Sequence, residues 1–343
     1  FVKAAVISKK FLEYENIKEI IIHTGQHFDE NMSDIFFHQM NIPKPSFFLG
    51  VNSCSHGEMT AKMLEKIEQI LLVEKPDWVL VYGDTNSTLA GTLAAVKLQI
   101  KIAHVEAGLR SYNMAMPEEV NRILTDRVSN LLLCPTDVAV NNLKKEGYDY
   151  IDHCKIAHVG DVMQDATYLF ESYAQPPIGM ASFFDFVLVT IHRAENTDNI
   201  ENINAIFESL VEIANRTKVI LPLHPRTRFI INSNRINTGN ILLIEPIGYL
   251  NMLWLIKNCK LIMTDSGGLQ KESYFFNKYC ITLRTETEWK ELVENGYNYI
   301  VGSDKTEIIN NYISLENKDF LKREDLFGGG DAASRIVNEI LNY

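Results

Sequence analysis

Short apolar runs alternate with longer segments of helical period along this chain, and the alternation stops once and then restarts. The runs EIIIHT near residue 19, WVLVYGD near 78, KIAHVE near 101, LLLC near 131 and KIAHVG near 155 read as strands. Between them, GEMTAKMLEKIEQILL places Met59, Met63, Ile67, Ile70 and Leu71 on one face, and STLAGTLAAVKL repeats the pattern. Strands separated by helices predict βαβ units and a parallel sheet. SYAQPPIGMASFFDF, around 172 to 186, has two prolines and no period, so it reads as a linker. The alternation then resumes with FVLVT near 186, KVILPL near 218, NILLI near 240, KLIMT near 260, YCITLR near 279 and YIVG near 299, each followed by a helix-compatible segment. A chain of 343 residues exceeds what one core usually serves. The expectation is an α/β protein of two Rossmann-like domains, residues 1–170 and 171–330. A final helix beginning near Asp331 occupies 331–343 and packs back on the first domain.

Charge and composition exclude several function classes. The net charge is −11, and no basic run exceeds the Lys144-Lys145 type of pair, which argues against a nucleic-acid surface. No signal peptide and no apolar run of about 18 residues is evident, so a cytoplasmic protein without a membrane span is expected. Five cysteines without a CxxC pair read as free thiols in a reducing compartment. The nine histidines include no HExxH, so no metal is assigned.

Ligands of open α/β sheets sit outside the carboxyl ends of the strands. Polar residues crowd those ends here: HTGQH, GDTNST, EAGLR, IHRAEN, LHPRTR and TDSGGLQKE. In TDSGGLQKES, a strand, a Ser-Gly-Gly turn and a helix beginning near Leu269 would direct N–H groups of Ser266, Gly267 and Gly268 at a phosphate. Glu272, a turn later, could accept from ribose hydroxyls, although glycines also serve tight turns for steric reasons alone. In MPEEVNRILTD, Pro117 stands at a first helical position and Glu118 and Glu119 in the first turn, where acids are favoured without any chemistry. Glu106 and Asp84 end neighbouring strands, however, and converging carboxylates suit general acid and base work. From the second domain, His192 and Arg193 suit a developing diphosphate charge, and His224 and Arg226 could add to the same field or simply tie down a loop.

Taken in order, HTGQHFDENM, VYGDTNSTLAG, HVEAGLRS, MPEEVNRILTD, HRAEN, TDSGGLQKE and GGGDAASRI resemble the non-hydrolysing UDP-N-acetylglucosamine 2-epimerase family across essentially the whole chain. The resemblance implies a GT-B type fold with an interdomain active-site cleft, a UDP-sugar substrate, no cofactor and a homodimer. It implies inversion at C2 by anti elimination of UDP and re-addition through a 2-acetamidoglucal. It places Asp84, Glu106 and Glu118 around C2, with the base and acid roles left open. Lys3, His192 and Arg122 resemble residues near the sugar and diphosphate, and Arg193 belongs to the same motif. Ser266 and Gly267 would hold phosphate, and Glu272 the ribose.

Departures from the family pattern refine this. The family begins with a strand and a Gly-Arg-Pro-type loop before the segment matching FVKAA, so that piece is expected ahead of Phe1. TEWKELV, Thr287 to Val293, stands where UDP-N-acetylglucosamine epimerases commonly read TER-P-E, and Met252 where they have an aromatic. With PPIGMAS and DENMSDIFF, these residues look most like the branch acting on UDP-2,3-diacetamido-2,3-dideoxy-glucuronic acid for bacterial surface polysaccharide. UDP-N-acetylglucosamine is the alternative substrate; a GT-B glycosyltransferase, a hydrolysing epimerase and a non-catalytic UDP-sugar-binding protein are the other readings. Gln26, Arg193 and His224 resemble part of a second-substrate activator site of some bacterial members, while Asp29 departs from its pattern.

Overall fold

The computed structural model describes residues 2–26, 43–321 and 325–343. DENMSDIFF, Asp29 and His27, the second histidine of HTGQH, lie outside the described residues. The chain divides into two compact units, one of Phe1–Leu169 with Asp325–Tyr343, the other of Phe170–Glu324.

Unit 1 begins with α1 (Val2–Phe11), followed by the short parallel pair β1 (Ile22–His23) and β2 (Phe47–Phe48). Of the run EIIIHT only Ile22 and His23 are strand, and the two-residue β2 within KPSFFLG gave no periodic signal. Then come α2 (His56–Glu74), β3 (Trp78–Tyr82), α3 (Asn86–Lys97), β4 (Lys101–Val105), α4 (Pro117–Val128), β5 (Leu131–Cys134), α5 (Asp137–Lys145), β6 (Lys155–His158) and α6 (Val162–Glu171). Strands β3 to β6 form a parallel sheet in chain order. All four residues of β5 are buried, as a strand covered on both faces requires. Met63, Ile67 and Leu71 of α2 bury one stripe against Ala90, Ala94 and Ala95 of α3 and Val81 of β3, with Met59 and Ile70 packed at the margin.

Caps set the helix starts. Ser55 accepts from the Glu58 N–H at the head of α2, and Thr85 from the Thr88 N–H at the head of α3. The last helix, α14 (Ala332–Leu341), packs on α1. Asp165 of α6 caps it, accepting from the N–H groups of Ala332 (3.1 Å) and Ala333 (2.9 Å).

Unit 2 contains β7 (Phe186–Thr190), α7 (Ala194–Thr197), α8 (Ile200–Ala214), β8 (Val219–Pro222), α9 (Pro225–Asn234), β9 (Leu242–Ile244), α10 (Tyr249–Asn258), β10 (Cys259–Thr264), α11 (Gly267–Phe275), β11 (Tyr279–Thr282), α12 (Lys290–Glu294), β12 (Asn298–Ile300) and α13 (Lys305–Leu315). Its six parallel strands run in the order β9-β8-β7-β10-β11-β12. That is the doubly wound Rossmann order, whose direction reverses between β7 and β10. Ligands of such sheets bind where the order reverses, so the residues just after Thr190 and Thr264 are the ones to examine. The two threonine hydroxyls meet there at 2.5 Å. The α/β class of two parallel-sheet units read from the alternation is the observed one.

All five cysteines are free, with Cys134, Cys259 and Cys280 buried. No helix among the described residues is long and apolar enough to cross a membrane.

Candidate active site

In unit 1 the acidic residues stand at adjacent strand ends. Gly83 turns the chain after β3 with φ +62°, its N–H donating to Val105 O of the neighbouring strand at 3.0 Å. Asp84 follows at once. After β4, Glu106 takes φ +72°, a left-handed conformation that side-chain-bearing residues rarely adopt. Two hydrogen bonds enforce it: the N–H groups of Glu106 and Ala107 both donate to Leu133 O, at 3.1 and 3.2 Å. Backbone strain held this firmly by its surroundings is characteristic of functional sites.

Cations interleave these acids. Lys3 of α1 lies 2.7 Å from Glu106 Oε2. Without a Cβ at Gly83, Lys3 Nζ and Glu106 Oε1 both approach to within 4 Å of the position one would occupy. Arg122 of α4 reaches Asp84 Oδ2 at 2.5 Å with one terminal nitrogen and Glu119 Oε2 at 2.7 Å with the other. Burial raises the Asp84 carboxyl above its ordinary range; Arg122 opposes the shift, while the nearby Glu106 carboxylate adds to it.

The two first-turn acids of α4 have different surroundings. Glu119 is fully buried and accepts from the Ser111 N–H and hydroxyl and from the Tyr112 N–H, besides Arg122. It holds the loop ahead of the helix and has little capacity left for chemistry. Glu118 is half-buried and stands four residues before Arg122, on the same side of the helix. Asn121, which the motifs did not single out, donates to Asp84 O at 2.9 Å and to Asn86 Oδ1 at 3.2 Å. Gln26 is engaged with Ser87, accepting from its N–H at 3.0 Å and its hydroxyl at 2.8 Å.

In unit 2 the residues after β7 and β10 meet at the strand-order reversal. Asp265, fully buried and given no role from the sequence, accepts from the N–H groups of His192 (3.0 Å) and Arg193 (3.0 Å) and from Asn196 Nδ2 (3.1 Å). Its carboxylate also lies 3.4 Å from His192 Nδ1. Burial lowers the His192 imidazole below its usual value, against the pull of Asp265, and the charges of Arg193 and His224 lower it further. His224 sits beside it, ring centroids 5.7 Å apart, and caps α9 by accepting from the Arg226 N–H.

Ser266 caps α11, its hydroxyl accepting from the Leu269 N–H, so the helix starts at Gly267, two residues earlier than the sequence reading. The N–H groups of Gly267 and Gly268 therefore belong to a helical first turn and have no intrahelical acceptor. Glu272 is buried in the next turn. The structure thus gathers Lys3, Asp84, Glu106 and Arg122 in one cluster with Glu118 on the adjoining helix turn. It sets His192, Arg193, Ser266, Gly267 and Gly268 around the reversal point of the other unit. No group of three or more histidine, cysteine, aspartate or glutamate side chains suited to a metal occurs among the described residues.

Acids at strand ends in one Rossmann-type unit and a glycine-headed helix at the switch point of another are features of the GT-B class of nucleotide-sugar proteins. Comparison with known proteins makes this specific. The UDP-N-acetylglucosamine 2-epimerase family model matches residues 9–341. The chain is 53% identical over 338 residues to the UDP-2,3-diacetamido-2,3-dideoxy-D-glucuronate 2-epimerase of Pseudomonas aeruginosa, covering 98% of this chain and 95% of that one. It superposes with a TM-score of 0.91 on the crystal structure of Methanocaldococcus jannaschii UDP-GlcNAc 2-epimerase in complex with UDP-GlcNAc and UDP, at 44% identity, covering 100% and 96% of the two chains. The Neisseria meningitidis enzyme bound to UDP-GlcNAc gives 0.89 at 31% identity, covering 100% and 96%. The chain belongs to the UDP-N-acetylglucosamine 2-epimerase family.

Proposed function

We propose that this protein inverts C2 of a UDP-2-acetamido sugar without hydrolysing it, and that its preferred substrate is UDP-2,3-diacetamido-2,3-dideoxy-D-glucuronate. The observation that carries the reaction type is the pairing of Asp84 and Glu106 at adjoining strand ends, with burial and mutual repulsion raising the Asp84 carboxyl. A carboxyl group displaced toward neutrality can both take and return a proton. One carboxylate removes the C2 proton, the C2–H electrons form a C1–C2 double bond, and the C1–O bond breaks with its electrons on the β-phosphate oxygen of UDP. The phosphate oxygen then re-forms its bond to C1 as a second carboxyl group returns a proton to the opposite face of C2. Asp84, Glu106 and Glu118 share these roles, with Lys3 and Arg122 holding the acids in place beside the sugar.

A C2 hydrogen of this kind is weakly acidic, so stabilising the departing diphosphate must carry much of the barrier. That task falls to unit 2. His192 and Arg193 meet the developing charge, the N–H groups of Gly267 and Gly268 hold phosphate beside Ser266, whose own N–H donates to the Thr264 hydroxyl at 2.9 Å, and Glu272 accepts from the ribose hydroxyls. A cytoplasmic homodimer completes the reading.

The substrate preference rests on identity: 53% to the diacetamido-glucuronate enzyme against 46% to the Methanocaldococcus jannaschii UDP-N-acetylglucosamine enzyme. The purified protein is expected to turn over the diacetamido-glucuronate with kcat/KM roughly tenfold or more above that for UDP-N-acetylglucosamine. The reverse order would transfer the assignment to the second sugar. Glu272→Ala is expected to raise the Kd for UDP about tenfold, the loss of one charged hydrogen-bonding group. Calorimetry showing an unchanged Kd would remove the ribose assignment.

A further inference from the structure

HVEAGLR contains two residues to which the proposed chemistry gives no part, His104 and Arg110. Both are buried, and both contact Asp126 of α4. His104 Nε2 lies 2.7 Å from Gly83 O, and Nδ1 lies 2.7 Å from Asp126 Oδ1. A carbonyl only accepts, so Nε2 carries a proton, and the carboxylate opposite Nδ1 places a proton there as well. Against the cost of burial, His104 first and then Arg110 hold the Asp126 carboxyl below its ordinary range.

The other Asp126 oxygen accepts from the Gly108 N–H at 3.1 Å and from Arg110 Nη1 at 2.7 Å. Arg110 in turn makes a two-pronged pair with Glu146, at 2.7 and 2.8 Å. The imidazole and carboxylate therefore connect three pieces of backbone. Gly83 immediately precedes Asp84. Gly108 closes the turn that holds Glu106 at positive φ, itself at φ +80° with no room for a side chain, since a Cβ would lie 2.5 Å from Ala139 O. Asp126 is one helical turn beyond Arg122, the residue that grips Asp84.

We propose that His104 and Asp126 are positioning residues: a buried bridge from the Gly83 carbonyl to the Gly108 N–H that fixes the separation of the Asp84 and Glu106 carboxylates without touching substrate. The inference rests on the epimerase reading for what the carboxylates do. A core filler in this place would need none of these directed bonds, and an apolar residue of the same shape would leave the Asp126 carboxylate facing a missing partner. Misplacing a reacting group by about 1 Å costs on the order of a hundredfold in rate. Substrate and UDP binding depend on other residues and should be spared.

The test compares wild type with His104→Gln, which keeps a donor toward Gly83 O and loses the bridge to Asp126, and with Asp126→Asn. Rates are expressed per UDP-binding site titrated by calorimetry, which corrects for any unfolded fraction. The expected result is a kcat lowered about a hundredfold in both variants, with KM and the UDP Kd within about twofold of wild type. Variants that bind UDP and turn over at the wild-type rate overturn the proposal. Should both fail to fold, the wild-type protein labelled with 15N-histidine decides: two slowly exchanging imidazole N–H signals from His104 support the bridge, and a single protonated nitrogen overturns it. A wild-type protein that shows those signals and binds UDP but epimerises neither sugar would contradict the functional reading and leave the bridge standing.

Discussion

Glu106→Gln or Asp84→Asn is expected to lower turnover on the order of a thousandfold while UDP binds with unchanged affinity. Both substitutions are close to isosteric, so packing around the strand ends is retained while the capacity to exchange a proton is removed. Glu106→Gln also releases Lys3 from its 2.7 Å ion pair, and Asp84→Asn removes one acid from Arg122, which keeps its pair with Glu119. The residues proposed to hold UDP, Ser266 and Glu272 among them, belong to the other unit. Loss of UDP affinity with turnover intact would reverse the assignment of roles. The wild-type rate should also show a limb above the ordinary carboxylate range of about 4, absent from Asp84→Asn, because burial and Glu106 raise the Asp84 carboxyl. The sign for stability follows from the same shift. A carboxyl raised in the folded state contributes stability at low pH that is lost as pH rises through its folded value. Ionising Asp84 therefore costs the fold stability, consistent with placing the group for reactivity.

Asp265→Ala is expected to destabilise unit 2 by about 4 kcal/mol. The buried carboxylate accepts from two backbone N–H groups and a side-chain amide, and its removal takes that acceptor from the His192 and Arg193 N–H groups, while Asn196 Nδ2 keeps Leu283 O. A loss of this size lowers Tm by roughly 10 °C for a domain of this length. Differential scanning calorimetry would resolve it, and a Tm within 2 °C of wild type, roughly half a kcal/mol, would show that Asp265 does not anchor the His192 turn. Asp265→Asn, which keeps the shape and one acceptor oxygen, should recover part of the loss.

Much of this molecule is legible in its sequence, for a specific reason. Parallel strands covered on both faces must be apolar throughout, and LLLC, FVLVT and KLIMT could hardly be anything else. Strand ends then follow, and with them the position of Asp84, Glu106 and His192. What could not be read is pairing across long separations. Nothing in HVEAGLR says that its histidine meets a carboxylate 22 residues on, or in TDSGG that the aspartate accepts from backbone 73 residues earlier. Glu118 and Glu119 are adjacent in sequence, and only the fold shows that Glu119 is consumed by Ser111, Tyr112 and Arg122. β2 was missed because two residues carry no period, and the early start of α11 because glycine gives no helical signal.

The central claim is that the C2–H bond breaks and re-forms while the sugar returns to UDP. The most direct measurement follows C2 by proton NMR in deuterated water with UDP-2,3-diacetamido-2,3-dideoxy-D-glucuronate as substrate, and in parallel with UDP-N-acetylglucosamine. The account predicts deuterium at C2 of a manno-configured product still linked to UDP. Free UDP with a released sugar, or a manno product retaining its original hydrogen at C2, would contradict it.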